Sequence, residues 1–226
     1  MTPGEPLVRW DWIASHAGEI ATRIGEHLIL TGIAVAVGLA IALPVGLAVA
    51  RRERLYAGAV WASGVLYTIP SLALFALLIP FSGLSVLTAE IGLVSYTLLI
   101  LVRNVVVGIR SVPEEVRDAA RGMGYAPRQV LWGVELPIAL PVIVAGLRVA
   151  TVSTIGLVTV TALIGQGGLG AFILDGIQRF FSTPLILGAV LSVLLAVVID
   201  SALAVVERAL TPWREPERAL ARIGAT

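Results

Sequence analysis

"DAARGMGYAPRQVLWGVELP", Asp118 to Pro137, is a mostly polar interruption in a chain that is otherwise close to continuous hydrocarbon. Arg117 stands immediately before it, and Arg121 and Arg128 lie inside it. The preceding Ser111-Val-Pro-Glu114 has a capping-box pattern with proline in the first turn, which predicts a helix from about Val112 to Met123. Gly122 and Gly124 permit a sharp break after it, and Pro127 opens a second short helix reaching Leu136-Pro137. The product is a helical elbow. On its first arm Glu114, Arg117, Asp118 and Arg121 share a face through i, i+3 and i, i+4 spacing, with Ala119 and Ala120 beside it. Small residues let another backbone come close, and the charges can set its register; the alternative is a solvated loop with ordinary surface charge.

Composition supplies the surroundings of this elbow. Of 226 residues, 58% are hydrophobic and only 14% charged, with a mean hydropathy of +0.95, against roughly 25% charged residues in soluble domains. An integral membrane protein follows. Cysteine is absent, which removes disulfides, thiolate metal sites and thiol nucleophiles. All 16 basic residues are arginine, so a Walker-type P-loop and a lysine Schiff base are excluded. His16 and His27 both precede the first long apolar run and read as structural or interfacial residues. No metal site, cofactor or nucleic-acid partner is expected.

A hydrocarbon core of roughly 30 Å needs about 20 apolar helical residues. Five stretches qualify: His27 to Ala50, Tyr56 to Ile79, about Glu90 to Ile109, about Pro137 to Ile164, and about Pro184 to Val206. Residues 1–26 contain Glu5, Asp11, Glu19 and Glu26 and lack the apolar core of a signal peptide. Ile13, Ala17, Ile20, Ile24 and Leu28 recur there at helical spacing, which predicts an interfacial helix leading into the first span. Residues 27–207 then form the membrane domain and residues 208–226 a tail. One set of connections holds eleven arginines, namely Arg51, Arg52, Arg54, Arg110, Arg117, Arg121, Arg128, Arg208, Arg214, Arg218 and Arg222. The other holds three, Arg9, Arg23 and Arg179. The positive-inside rule therefore predicts an outer N-terminus, a cytoplasmic C-terminus and a cytoplasmic loop from Arg110 to Leu136.

With the elbow on the cytosolic side, its spacing resembles the signature of ABC importer permeases that work with a separate binding protein. That signature is Glu-Ala-Ala, three residues, Gly, nine residues, Ile-x-Leu-Pro; here it reads Asp118-Ala119-Ala120, Gly124, Val134-Glu135-Leu136-Pro137. Asp118 and Val134 are conservative departures, and the shorter carboxylate at 118 puts the family's usual contact geometry in doubt. The resemblance implies an all-α, type I importer permease fold of five core transmembrane helices, an N-terminal interfacial helix and a cytoplasmic coupling helix. It implies that Glu115 to Gly124 docks in a groove of the ATPase, with Glu115, Asp118, Ala119, Ala120, Gly124, Leu136 and Pro137 as the coupling residues. "YTIPSLAL" (Tyr67 to Leu74), "LVRNVVVGIRSVP" (Leu101 to Pro113), "ELPIALPVIVAGLRVAT" (Glu135 to Thr151) and "ALIGQGGLG" (Ala162 to Gly170) are similar to the osmoprotectant branch, which imports glycine betaine, choline, carnitine or proline. The methionine-importer permeases share the fold and a glycine-rich loop. The implied partners are an ATPase dimer holding ATP and Mg, an extracytoplasmic binding protein, a second permease copy or a similar permease, and lipid, and the implied place of this chain is the bacterial inner membrane.

Charges at membrane depth usually face protein or water. Arg103 is near enough to the cytoplasmic end of its span to snorkel. Arg148 and Asp200 lie deeper and are placed to pair between the fourth and fifth spans. Pro44 and Pro70 each remove a backbone hydrogen bond within a span. Pro70 with Tyr67, Thr68, Ser71 and Asn104 is a candidate pathway lining, a packing kink being the alternative. The outer loop Gly165 to Phe181 reads as an outer gate, a binding-protein contact or a structural re-entrant turn. An intramembrane serine protease is excluded because neither histidine lies deep in a span to activate a serine. The absence of a visible internal repeat argues against a secondary transporter. The chain is expected to move solute and catalyse no bond change.

Overall fold

The computed structural model describes residues 6–214, and all regular structure among them is helical. A short α1 (Trp10–Ser15) leads into α2 (Ala17–Ala50), followed by α3 (Glu53–Thr68), α4 (Ser71–Ser82) and α5 (Val86–Arg110). The elbow holds α6 (Glu114–Gly122) and α7 (Pro127–Val130), then a π-turn at Leu131–Glu135 that runs into α8 (Leu136–Val160). A 3-10 turn at Thr161–Ile164, α9 (Gly170–Gln178), α10 (Ser182–Leu210) and a 3-10 turn at Pro212–Arg214 complete the described residues. Among the described residues four rods are long and apolar enough to cross a membrane: α2, α5, the run Pro127–Ile164, and α10.

The expected second span, Tyr56 to Ile79, is not one helix. It divides at Ile69-Pro70 into α3 and α4. Pro70 lacks an N–H and pushes the residue before it out of the helical region, so a helix ends here and another begins at Ser71. The Tyr96 hydroxyl of α5 donates to the Ile69 carbonyl and fixes the bend. The expected interfacial segment also differs, because α2 runs unbroken through the 26/27 boundary. At the other end α10 continues past 207 to Leu210, while residues 215–226, with Arg218 and Arg222, lie outside the described residues, as do 1–5.

Helix α5 is central and packs on α2, α8, α4 and α3. Three apolar layers line it. Leu30, Ala34, Phe75, Ala89, Leu93, Val158 and Ile164 form the layer far from the elbow. Ala42, Leu101 and Ala150 form the middle, and Val105, Ile109, Ala139 and Ile143 the layer beside the elbow. The α2–α5 contact rests on a stripe of small residues, Ala34, Gly38, Ala42 and Gly46, one per turn and all buried. A Cβ on Gly46 would fall 2.6 Å from Val105 Cγ1. In hydrocarbon, close approach of backbones supplies the van der Waals contact that drives helix association, so the stripe is an adhesive face. Helix α10 packs only on α8 and α9 among the larger contacts and presents Val190, Val193, Leu194, Val197 and Val198 outward.

The π-turn has a local cause. Pro137 cannot donate to the Gly133 carbonyl and its ring would crowd that turn. A wider turn relieves the conflict, and the Leu136 N–H reaches back to the Leu131 carbonyl.

Candidate functional site

The elbow begins later than the capping-box pattern predicts. Pro113, in extended conformation, is the N-cap of α6, and Ser111 Oγ donates to the Gly108 carbonyl at the end of α5. Glu114 turns along the helix instead, accepting from Arg117 Nη1 at 2.9 Å and Arg121 Nη1 at 2.9 Å. Arg117, then Arg121, hold its carboxyl below the usual glutamate range. Arg121 also reaches Asp118 Oδ1 at 2.9 Å. The charged face is therefore largely paired within the chain.

The corner is closed by Gly124 at φ +85°, while Gly122 remains in the helix. The Tyr125 N–H donates to the Ala120 carbonyl at 3.2 Å and the Gly124 N–H to Arg121 at 2.9 Å, the Schellman pattern in which glycine takes the left-handed position. The Ala126 N–H then donates to Gln129 Oε1 at 2.8 Å, opening α7.

Ala119 and Ala120 do not share one surface: Ala120 is buried against the body of the protein and Ala119 is open. Glu115 and Asp118 are open too. Val116, Ala119 and Met123 form an exposed stripe that the sequence reading missed, with Met123 69% exposed and Tyr125 beside it. The signal was present, since Val116, Ala119 and Met123 recur at i, i+3, i+7 opposite the charges. Leu136 packs on the layer of Val105, Ile109, Ala139 and Ile143, and Pro137 starts α8.

Glu135, in the variable position of the signature, is the larger omission. It is almost fully buried, and accepts from Arg117 Nε at 2.9 Å and from Arg51 Nη2 at 3.3 Å. Arg117 Nη2 donates in addition to the Ile109 carbonyl at 2.6 Å. A cleft of about 590 Å³ between the elbow and the helix ends is lined by Arg51, Arg110, Glu114, Arg117, Tyr125 and Glu135, among others.

The remaining sequence candidates fall in separate places. Thr68, Pro70 and Ser71 gather at the α3–α4 bend, where Thr68 Oγ1 donates to the Val65 carbonyl; Tyr67 is in the same turn, its side chain outside the described set. Asn104 is not with them. It donates to the Ile100 carbonyl and packs against Gly146 where α5 crosses α8. Arg148 and Asp200 meet through two parallel bonds of 2.9 and 2.8 Å, and Arg148 Nη1 adds Glu207 at 2.9 Å. His27 is fully buried and pairs through Nε2 with the Ile155 carbonyl at 3.0 Å. The loop Gly165 to Phe181 folds back on the bundle, with Gly168 against His27 and Gly170 against Thr159. After α9 the left-handed corner is taken by Phe180, φ +54°, whose side chain is exposed.

An all-helical, multi-pass bundle with a capped elbow folded against the ends of its rods is a membrane permease in architecture. Residues 28–212 match the family described as binding-protein-dependent transport system inner membrane component, and the chain belongs to that family. It is 40% identical over 206 residues to the osmoprotectant import permease OsmW of Salmonella typhimurium, covering 89% of this chain and 96% of the relative. It is 37% identical to the choline transport system permease OpuBB and 35% identical to the glycine betaine/carnitine/choline permease OpuCB, both of Bacillus subtilis; each alignment covers 89% of this chain and 93% of the relative. Among solved structures it resembles the inward-facing MetNI methionine ABC transporter, with a TM-score of 0.79 at 25% identity, covering 87% of this chain and 98% of that one.

Proposed function

We propose that this protein is the membrane subunit of an ATP-driven importer for osmoprotectants of the glycine betaine, choline and carnitine type. The observation that carries the reading is the elbow: its full signature spacing, its glycine corner and its open apolar stripe occur in a chain whose relatives are named for those solutes. In this reading α3 and α4 together make the second of five crossings. The N-terminus is outside, the C-terminus and the elbow are cytoplasmic, and 27–207 is the working domain between an interfacial segment and a tail. Glu115 to Gly124 docks on an ATPase dimer that holds ATP and Mg; Glu115, Asp118, Ala119 and Gly124 meet it, while Ala120, Leu136 and Pro137 tie the elbow to the bundle. An extracytoplasmic binding protein delivers solute, and a second copy or a similar permease completes the path. Tyr67, Thr68, Pro70 and Ser71 line that path at the bend, and Asn104, apart from them, fixes the α5–α8 crossing.

The fold likeness to a methionine transporter supports a second reading, an amino-acid importer of the same design. Uptake into liposomes carrying the permease and ATPase, with binding protein supplied, separates the two. Betaine, choline or carnitine should accumulate at the expense of ATP. Accumulation of methionine alone would favour the second reading, and uptake independent of ATP would reject both.

A further inference from the structure

Glu135 stands where four elements meet. It closes the π-turn leading into α8 and is 7% exposed. An ionised carboxylate buried to this degree must be compensated by partners. Two arginines reach it from different directions: Arg117, from α6, binds Oε1, and Arg51, the C-cap of α2, binds Oε2. Arg117 also donates to the Ile109 carbonyl, so the guanidinium that Glu135 holds ties α6 to the end of α5.

The two bonds are unequal. The Arg117 side chain is 15% exposed and has three partners, Glu114, Glu135 and the Ile109 carbonyl. Arg51 is 49% exposed and its bond to Glu135 is 3.3 Å long. Breaking a buried, multiply bonded ion pair leaves an uncompensated charge, whereas an exposed pair exchanges readily for water. A load arriving at α6 would thus pass through Arg117 and Glu135 to the root of α8 before it reached α2.

We propose that Glu135 is the positioning residue that makes α6 and α8 move as one body, with its bond to Arg51 the contact that opens when the end of α2 parts from them. The proposal rests on α6 being the arm that meets the ATPase. In liposomes with ATPase and binding protein, Glu135→Gln and Arg117→Gln should retain the ATPase and hydrolyse ATP. Solute taken up per ATP should fall at least about fivefold. Arg51→Gln should instead raise ATP hydrolysis in the absence of binding protein. Glu135→Asp, which keeps the charge, should retain part of the ratio that Glu135→Gln loses, which a general loss of folding would not allow.

A measurement on the permease alone stands apart from the functional reading. Spin labels on cysteines at Val116 in α6 and Ile138 in α8, in this cysteine-free chain, should give a narrow distance distribution that Glu135→Gln broadens and Arg51→Gln does not. An unchanged distribution in Glu135→Gln overturns the proposal, whatever the importer carries. So does an unchanged solute-to-ATP ratio, or loss of the ATPase from the membrane, which would assign Arg117 and Glu135 to docking. Failure of the unmodified permease to retain an ATPase would refute the importer reading and leave the label result to decide the joint.

Discussion

At Gly124 the backbone, not the available space, limits what the elbow can hold. A Cβ there meets nothing within 4 Å, yet φ is +85°, a region that costs a side chain roughly 1–2 kcal/mol. Gly124→Val should therefore insert and fold while losing ATPase retention and binding-protein-stimulated hydrolysis; Gly124→Asn should be milder because asparagine tolerates the left-handed region. Normal uptake in Gly124→Val would make the elbow a passive linker. Gly122 is the control, helical and equally open, so Gly122→Ala should stabilise the permease by up to about 1 kcal/mol in thermal unfolding. Phe180 has the opposite history: Phe180→Gly should relieve strain and raise the melting temperature. Glu114 gives a pH signature. Its folded pKa is depressed by Arg117 and Arg121, so its contribution is complete above the ordinary glutamate value of about 4.3 and lost as pH falls through the lower, folded value. Amide exchange in 114–122, corrected for intrinsic rates, should be flat from neutral pH to about 5 and rise only below the ordinary range.

Helices α8 and α10 are held together by little apolar burial and one polar clamp. Arg148 binds two carboxylates of α10, Asp200 and Glu207, which changes the cost of removing each member. Arg148→Leu removes the cation from both and should destabilise by about 3–5 kcal/mol. Asp200→Asn leaves Arg148 with Glu207 and should cost clearly less. The double variant should recover part of the larger loss, and strict additivity of the two single effects in a thermal-unfolding cycle would deny the coupling. The bend between α3 and α4 is another matter of elements. Pro70 announces a lost hydrogen bond in the sequence, but a hydropathy window averages across it, so the stretch reads as one span. What ends α3 there is the backbone restriction at Ile69, with Tyr96 of α5 as the brace.

Across the whole molecule, orientation is the expectation most open to direct test. A cysteine at Ala126 should react only from the cytosolic side, and one at Ile177 only from outside; the reverse would remove the elbow from any ATPase. Ile177 is the suitable outer position because it is exposed, whereas a side chain on neighbouring Gly176 would lie 2.5 Å from Leu185 Cβ. Rods and elbow were legible because hydropathy, glycine and proline act over short distances along the chain. Glu135 was not, since a charge in an apolar run gives no sign of arginines 18 and 84 residues away. The small stripe from Ala34 to Gly46 was visible as a period of four, but its partners on α5, among them Thr97, Leu101 and Val105, are set by tertiary packing.

The π-turn at Leu131–Glu135 makes the spacing of the elbow an angular quantity. Each residue of an α-helix advances the heading by about 100°, and a π-turn slips one extra residue into that count. Deleting Gly133 would shorten the rod by little more than an ångström, roughly one residue's rise. Because the wide turn absorbs the extra residue, that deletion would let it close to an ordinary turn and keep the bearing of everything before it, while setting Pro137 against the carbonyl four residues back. A residue lost from α7 instead, with the wide turn kept, would swing the arm by more than a quarter turn, carrying Arg117 away from Glu135 and the Val116–Ala119–Met123 stripe off its bearing. The nine residues between Gly124 and Val134, one of them taken up by the wide turn, thus set a compass direction for α6, and a chain with eight or ten around the same wide turn would point it elsewhere.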